Sequence, residues 1–487
     1  MLNLKEKFMS TDPLLLKYPP LTAVTSQWMT DLLDNHQLLD NLFKEYGSPI
    51  NIHNAGPFEK NYELFKQVLE KHGLDHTIFF ARKANKCRIF VKEAIRLGFG
   101  VDSASYQELI GCLDLGCDPN KLVLTAAVKN EQLVRLALQQ GVLMILDNID
   151  ECELADKLAG ELGLTPKVGI RVSGFYDKEK KLYSRFGFDI DHIAEFITSH
   201  FGCGNRFENL RFDGFHFHLN GYSMVQRSEA LLQTINLADR LLTHGFQTSF
   251  IDMGGGILIN YLSDKFEWEE FWSELKKAVR EERPPVTFGN RGLGFELIIN
   301  ELYGEPDVYP YYNEINKENF LDKVLTYKNQ KGETPATRLR ERGIELRMEP
   351  GRSLLDQTGI TIAKVIHRKN DMRGNRLIGL GMNRNQLASS SADFLVDPLY
   401  ISVHNDSKEK KATPLFFTGG YCLEQDLILK RKIVLPQLPE VGDIICFPNT
   451  AGYMMHFYET QSHLFDLATN LVINQDSDEI KIQHDEL

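Results

Sequence analysis

From residue 77 to residue 352 the chain repeats one alternation: a short apolar or β-branched run, then a longer stretch with apolar residues at helical spacing. Such runs read as buried parallel strands, and the stretches between them as crossover helices. Eight runs can be counted: Ile78–Ala81, Gly100–Ser103, Leu122–Ala126, Leu143–Asp147, Lys167–Val172, Phe212–His218, Ser249–Met253 and Glu345–Met348. Eight parallel strands, each followed by a helix, predict a closed (β/α)8 barrel in an α/β fold, with its working residues at the C-terminal strand ends. Beyond about residue 365 the helical spacing stops. Short alternating runs such as Lys430–Leu435 and Asp443–Phe447 stand between Pro and Gly, and predict a β-sandwich or β-barrel domain. Ser48–His53 also reads as a strand able to join it. The expected division is an N-terminal segment over 1–54 that contributes to the β domain, a barrel over 55–365 and a C-terminal β domain over 366–487. The stretch from Gly256 to Glu345 is long for one crossover. An insertion is therefore expected around 260–340, either a lid or a surface decoration.

With 487 residues, 43% hydrophobic and 25% charged, the chain can bury one large core and a smaller one. A net charge of -12, with Lys and Arg scattered, provides no basic field for a phosphodiester backbone, so nucleic acid is not an expected partner. No apolar run approaches the roughly 18 residues of a membrane span. The leucines near the start are interrupted by Lys5, Glu6, Lys7 and Pro13, so neither a membrane anchor nor a secretory leader is expected. Seven cysteines without a CxxC or a regular spacing indicate neither a disulfide framework nor a metal site, and fit a reducing, cytoplasmic compartment. The terminal His484-Asp485-Glu486-Leu487 spells a retention address that is read only in a lumenal protein; without a leader it reads as coincidence.

Three features carry chemistry. Lys83 closes the apolar run Phe79-Phe80-Ala81-Arg82-Lys83, where a partly desolvated amine becomes a nucleophile. Glu349-Pro350-Gly351-Arg352 closes another run and places an anion and a cation three residues apart. Gly254-Gly255-Gly256 follows a third run, and its backbone N–H groups suit an anion nest. An amine, a carboxylate for a pyridine nitrogen and donors for a phosphate are what pyridoxal phosphate requires.

The ordered motifs ARKANK, GFGVDSASYQEL, SRFGFD, HFHLNG, IDMGGG, EPGRS, GGYCLEQD and NTAGYMMHF, spread over residues 47–465, resemble the alanine racemase-like barrel decarboxylases, the ornithine, diaminopimelate, arginine and carboxynorspermidine group. The resemblance implies a pyridoxal phosphate enzyme that removes the α-carboxylate of an amino acid. Lys83 matches the lysine that carries the cofactor, Asp102 an acid beside it, and His218 the histidine stacked on the ring. His216, two residues earlier, points to the same side of a strand, which leaves either one open to being a packed core histidine. Glu349 matches the partner of the pyridine nitrogen. Gly254, Gly255, Gly256, Gly351, Arg352 and Tyr453 match the phosphate-binding set. Where the family has Gly-Ser after the residue that follows His218, this chain has Asn220-Gly221, so the resemblance does not carry over the serine's phosphate contact, which a backbone N–H could replace. Arg171 and the segment Arg185-Phe186-Gly187 match positions with supporting electrostatic roles. Cys422 matches a cysteine that crosses a dimer interface to protonate the product, which implies a homodimer with shared sites.

For the substrate, Val396-Asp397-Pro398-Leu399-Tyr400 lacks the arginine with which diaminopimelate enzymes hold a distal carboxylate, whereas Asp397 stands where ornithine-type members bind a distal ammonium through Asp397 and Tyr400. The residue after Cys422 is Leu423 rather than an acid, with Glu424 and Asp426 following. A distal cationic group, or a larger conjugate of the polyamine- or siderophore-precursor kind, is expected. A racemase of the same fold and a non-catalytic regulatory homologue are the alternatives.

Overall fold

The computed structural model describes residues 17–389, 393–404, 411–476 and 479–485, and it separates into two compact units. The first leucine-rich stretch and the last two residues of the retention-like tetrapeptide lie outside the described residues.

One unit comprises residues 56–258 and 315–354. Its eight strands are β1 (His76–Ala81), β2 (Gly100–Ser103), β3 (Leu122–Leu124), β4 (Leu143–Leu146), β5 (Lys167–Ser173), β6 (Arg211–His216), β7 (Phe250–Asp252) and β8 (Glu345–Met348). Each pairs in parallel with the next, and β8 pairs with β1, so the sheet closes into the expected barrel. The interior is filled unequally. Phe79, Val123, Ile145 and Phe250 form a buried cluster, and a Cβ at Gly100 would collide with Phe79, at Gly169 with Ile145, and at Gly214 with the Phe250 backbone and ring. Large side chains on β1 and β7 thus face missing ones on β2, β5 and β6, the large-against-small filling that a closed eight-stranded barrel needs. The crossover helices are punctuated as their sequence suggests: Asn130 and Asn148 accept from the third residue of their helices, and Gly141 and Gly163 end those helices in the left-handed conformation.

The other unit comprises the residues up to 55, 259–314 and the chain from 355 on. Its sheet centres on Ile50–Asn54, which pairs antiparallel with Gly359–Asn370 and parallel with Thr469–Asp476. Ile50, Ile52, Ile360, Ile362, Cys446 and Leu471 lie in its core with Trp28, Met29 and Leu32 of the helix Gln27–Asp34. The chain enters this unit at residue 355, eleven residues before the expected start at 366, and Gly359–Asn370 is one continuous strand of this sheet. The long segment after Gly256 is divided: 259–314 belongs here, tied in by the packed rings of Tyr261, Tyr309, Tyr311 and Phe394, while 315–354 returns to the barrel unit.

Candidate active site

The barrel brings most of the expected residues to one end. Lys83 lies in the turn after β1, Asp102 on β2, Arg171 on β5, His218 just past β6, the three glycines after β7 and Glu349 directly after β8. Lys83 Nζ donates to Asp102 Oδ2 at 2.6 Å and lies 3.9 Å from Glu349 Oε2. Asp102 is fully buried and also accepts from Thr125. Burial, and then the Glu349 charge, raise its pKa, while Lys83 works in the opposite direction.

Beneath them runs a buried polar chain that sequence reasoning resolved only in part. Arg171 donates to Asp147 at 3.0 Å, to the Thr125 carbonyl at 3.0 Å and, through Nε, to His216 Nδ1 at 3.1 Å. An accepting Nδ1 places the proton of neutral His216 on Nε2, which stands 3.1 Å from Glu349 Oε1. The His216 pKa is held well below its usual value by burial and by Arg171, so the ring is neutral. The Glu349 Oε1 atom and the Asp252 Oδ2 atom are buried without a hydrogen-bond partner. Burial, and then Glu349, push the Asp252 pKa well up, which favours its neutral acid. Arg171 therefore serves the floor of the site. The His216 and Asp252 roles were missed, although both residues stand in the quoted motifs HFHLNG and IDMGGG.

The glycine run is packed tightly enough to exclude side chains. A Cβ would lie 2.7 Å from His218 Nδ1 at Gly254 and 2.6 Å from the Glu349 carbonyl at Gly255, and would collide with Arg227 at Gly256. Gly254 and Gly256 have φ of 66° and 79°. Two of the three N–H groups are already used, by Asp252 Oδ1 at 2.9 Å and by His218 Nδ1 at 3.3 Å. This narrows the expected nest to the Gly256 N–H, which has no acceptor among the described residues. His218 faces the open end; crowding by surrounding protein, then the Lys83 charge, lower its pKa to about 3. Arg185 stacks on Phe186, 3.9 Å from the ring centre, and Gly187 N donates to Asp147. Gly351 and Arg352 are buried in the turn after Glu349.

These groups fit pyridoxal phosphate. There is an amine at a strand end, a buried carboxylate with one unbonded oxygen just past the end of the adjacent strand, and a cradle that no side chain can fill.

The remaining candidates belong to the other unit. Cys422, Leu423 and Glu424 are exposed. Asp426 is buried and accepts from Arg384 N at 3.0 Å and Tyr421 N at 2.7 Å, so it shapes the loop that carries Cys422. Tyr453 is half-buried with φ of 73°. Tyr400 donates to Asp443 at 2.7 Å, and burial with Asp443 raises its pKa to about 12. Asp397 pairs with the buried Arg431 and accepts from Leu21 N at 3.0 Å. The Asp397 charge is thus matched from within the unit.

Residues 56–292 match the model of the pyridoxal-dependent decarboxylase family, pyridoxal binding domain. The chain is 27% identical to an uncharacterized protein, y4yA, of Sinorhizobium fredii over 92% of this chain and 93% of that one. It is also 27% identical to a diaminopimelate decarboxylase of Aquifex aeolicus, over 81% and 80% of the two chains. The crystal structure of diaminopimelate decarboxylase from Helicobacter pylori complexed with L-lysine superposes with a TM-score of 0.66 at 18% identity, over 92% of this chain and 97% of that one. A lysine, a glutamate and a glycine cradle at one end of a closed barrel thus stand in a chain whose residues 56–292 match the pyridoxal-binding domain of the pyridoxal-dependent decarboxylases and whose fold is that of solved decarboxylases.

Proposed function

We propose that this protein decarboxylates an amino acid bearing a distal cationic group, or a larger conjugate of the polyamine- or siderophore-precursor kind, and that it does so as a homodimer. The observation that carries the reading is the buried Glu349 carboxylate, one oxygen unbonded, directly after the strand that pairs with the one preceding Lys83. When bound, pyridoxal phosphate supplies an electron-withdrawing ring that accepts the charge left when a carboxylate departs. Lys83 would hold it through its amine, Glu349 would meet its pyridine nitrogen, His218 would lie against its ring, and Gly256 N–H and Arg352 would take its phosphate. Asp102, 2.6 Å from the Lys83 amine, orients that amine. Cys422 of the partner subunit delivers the proton to the product carbon. A carboxylate opposite the pyridine nitrogen, rather than the arginine usual in racemases of this fold, favours loss of carbon dioxide over racemisation.

For the distal end, Asp397, Tyr400 and Asp426 are engaged in their own unit, so Glu424 is the carboxylate of this set left to meet a cation, beside an apolar Leu423. Dimer formation is supported by the exposed apolar side chains Leu423, Phe457, Tyr458, Leu464 and Phe465 in the same unit as the exposed Cys422. All seven cysteines are free thiols, in keeping with a reducing compartment, and no described helix is long and apolar enough to cross a membrane.

The test is carbon dioxide release by the pyridoxal-phosphate-loaded protein on L-ornithine, L-lysine, L-arginine, meso-diaminopimelate and carboxynorspermidine, with product chirality followed in parallel. Release from a basic substrate that is abolished in Lys83→Ala supports the reading. Racemised substrate without release, or a Lys83→Ala variant at the wild-type rate, refutes it.

A further inference from the structure

Arg227 is the most deeply buried cation of the barrel unit, with no exposed surface, and no carboxylate among the described residues pairs with it. It stands in the first turn of the helix Met224–Leu242, after the Ser223 cap. Its guanidinium donates to the carbonyls of Gly221 at 3.1 Å and Gly255 at 3.0 Å, its Nε has no acceptor, and its other large neighbour is the ring of Phe320. Desolvation lowers its pKa to about 10. A buried charge met by two carbonyl dipoles, the Phe320 ring and the neighbouring Tyr222, with no carboxylate among the described residues, is costly, and buried charges are ordinarily paired. The missing partner is an anion.

The position of the guanidinium says where that anion belongs. It bridges the loop at Gly221, where φ is 109°, to the loop Gly254–Gly256, and it lies against the face of Gly256 where a Cβ would otherwise stand. Gly256 also has the one N–H of its run left without an acceptor. We propose that Arg227 is a positioning residue for the cofactor phosphate: its charge lies behind the glycine cradle, holds the two loops together and is neutralised by the phosphate that the Gly256 N–H receives. Because the guanidinium is closed off from solvent, it acts through the backbone and its field.

This rests on the pyridoxal phosphate assignment, and the experiment separates the two. Equilibrium dialysis measures the affinity of the full-length protein for pyridoxal phosphate and for pyridoxal, which lacks the phosphate. A wild-type protein that binds neither removes the cofactor assignment. If Arg227 acts through charge, Arg227→Gln, which keeps donors for the two carbonyls, lowers the affinity for pyridoxal phosphate about tenfold to hundredfold and leaves pyridoxal unchanged. Arg227→Lys, which keeps the charge, stays within about threefold of the wild-type preference for the phosphorylated ligand. Equal losses for both ligands in Arg227→Gln, or unchanged pyridoxal phosphate binding, overturn the proposal. If the glutamine variant does not fold, Arg227→Lys decides alone, since loss of the phosphate preference in a variant that keeps the charge has the same force.

Discussion

Replacing His216 by leucine tests the buried chain under Glu349. The substitution removes the acceptor of Arg171 Nε and the N–H group that faces Glu349 Oε1, and both groups left behind are charged and buried. Only the Arg171 Nε bond is a made hydrogen bond, and losing one to a charged group costs about 1.5–3 kcal/mol, so a loss of about that size is expected near pH 7.5. The pH dependence sharpens the test. The folded-state pKa of His216 lies well below that of a free histidine, so the unfolded chain binds a proton the folded one refuses as pH falls below about 6.5. The wild type thus loses this contribution on acidification, by up to about 1.4 kcal/mol per pH unit, whereas the leucine variant does not. The gap between the two should narrow as the pH drops from 6.5 toward 5. Urea unfolding followed by cofactor absorbance near 420 nm reads the barrel unit directly. A gap below about 0.5 kcal/mol at pH 7.5, or one that widens on acidification, would refute the assigned protonation state and its contacts.

Asp397→Asn should act as a stability mutation: with Arg431 left buried and unpaired, thermal unfolding of the β unit should drop by the equivalent of about 3–5 kcal/mol, with no selective rise in KM for basic substrates. Cys422→Ala should lower kcat by about 10²–10⁴-fold, the usual scale of a lost proton donor, while the cofactor spectrum stays unchanged. Gly255→Ala pushes a methyl group to 2.6 Å from the Glu349 carbonyl and should abolish cofactor binding, measured as loss of the 420 nm band in folded protein.

The barrel was legible because most of its strands are largely buried and carry short apolar runs; all eight strands fall where the runs lie, with β6 stopping at His216 so that His218 sits beyond it. Lys83, Asp102 and Glu349 were legible because strand-end position and residue chemistry agree. Arg227 was not, because an arginine in the first turn of a helix looks solvated until Phe320 and two glycine loops close over it. The Asp397–Arg431 pair was not legible for a related reason: Arg431, thirty-four residues later, reaches Asp397 only through the fold of the β unit. The place of 259–314 had a signal in its tyrosines, but ring packing against Phe394 cannot be read from spacing.

The strand Ile50–Asn54 lies between partners that begin at residues 359 and 469. During synthesis β8 emerges before either partner, so the barrel has all its strands while this early strand still has two bare edges. A nascent chain that already binds pyridoxal phosphate would therefore still expose an unpaired, apolar ribbon near its start.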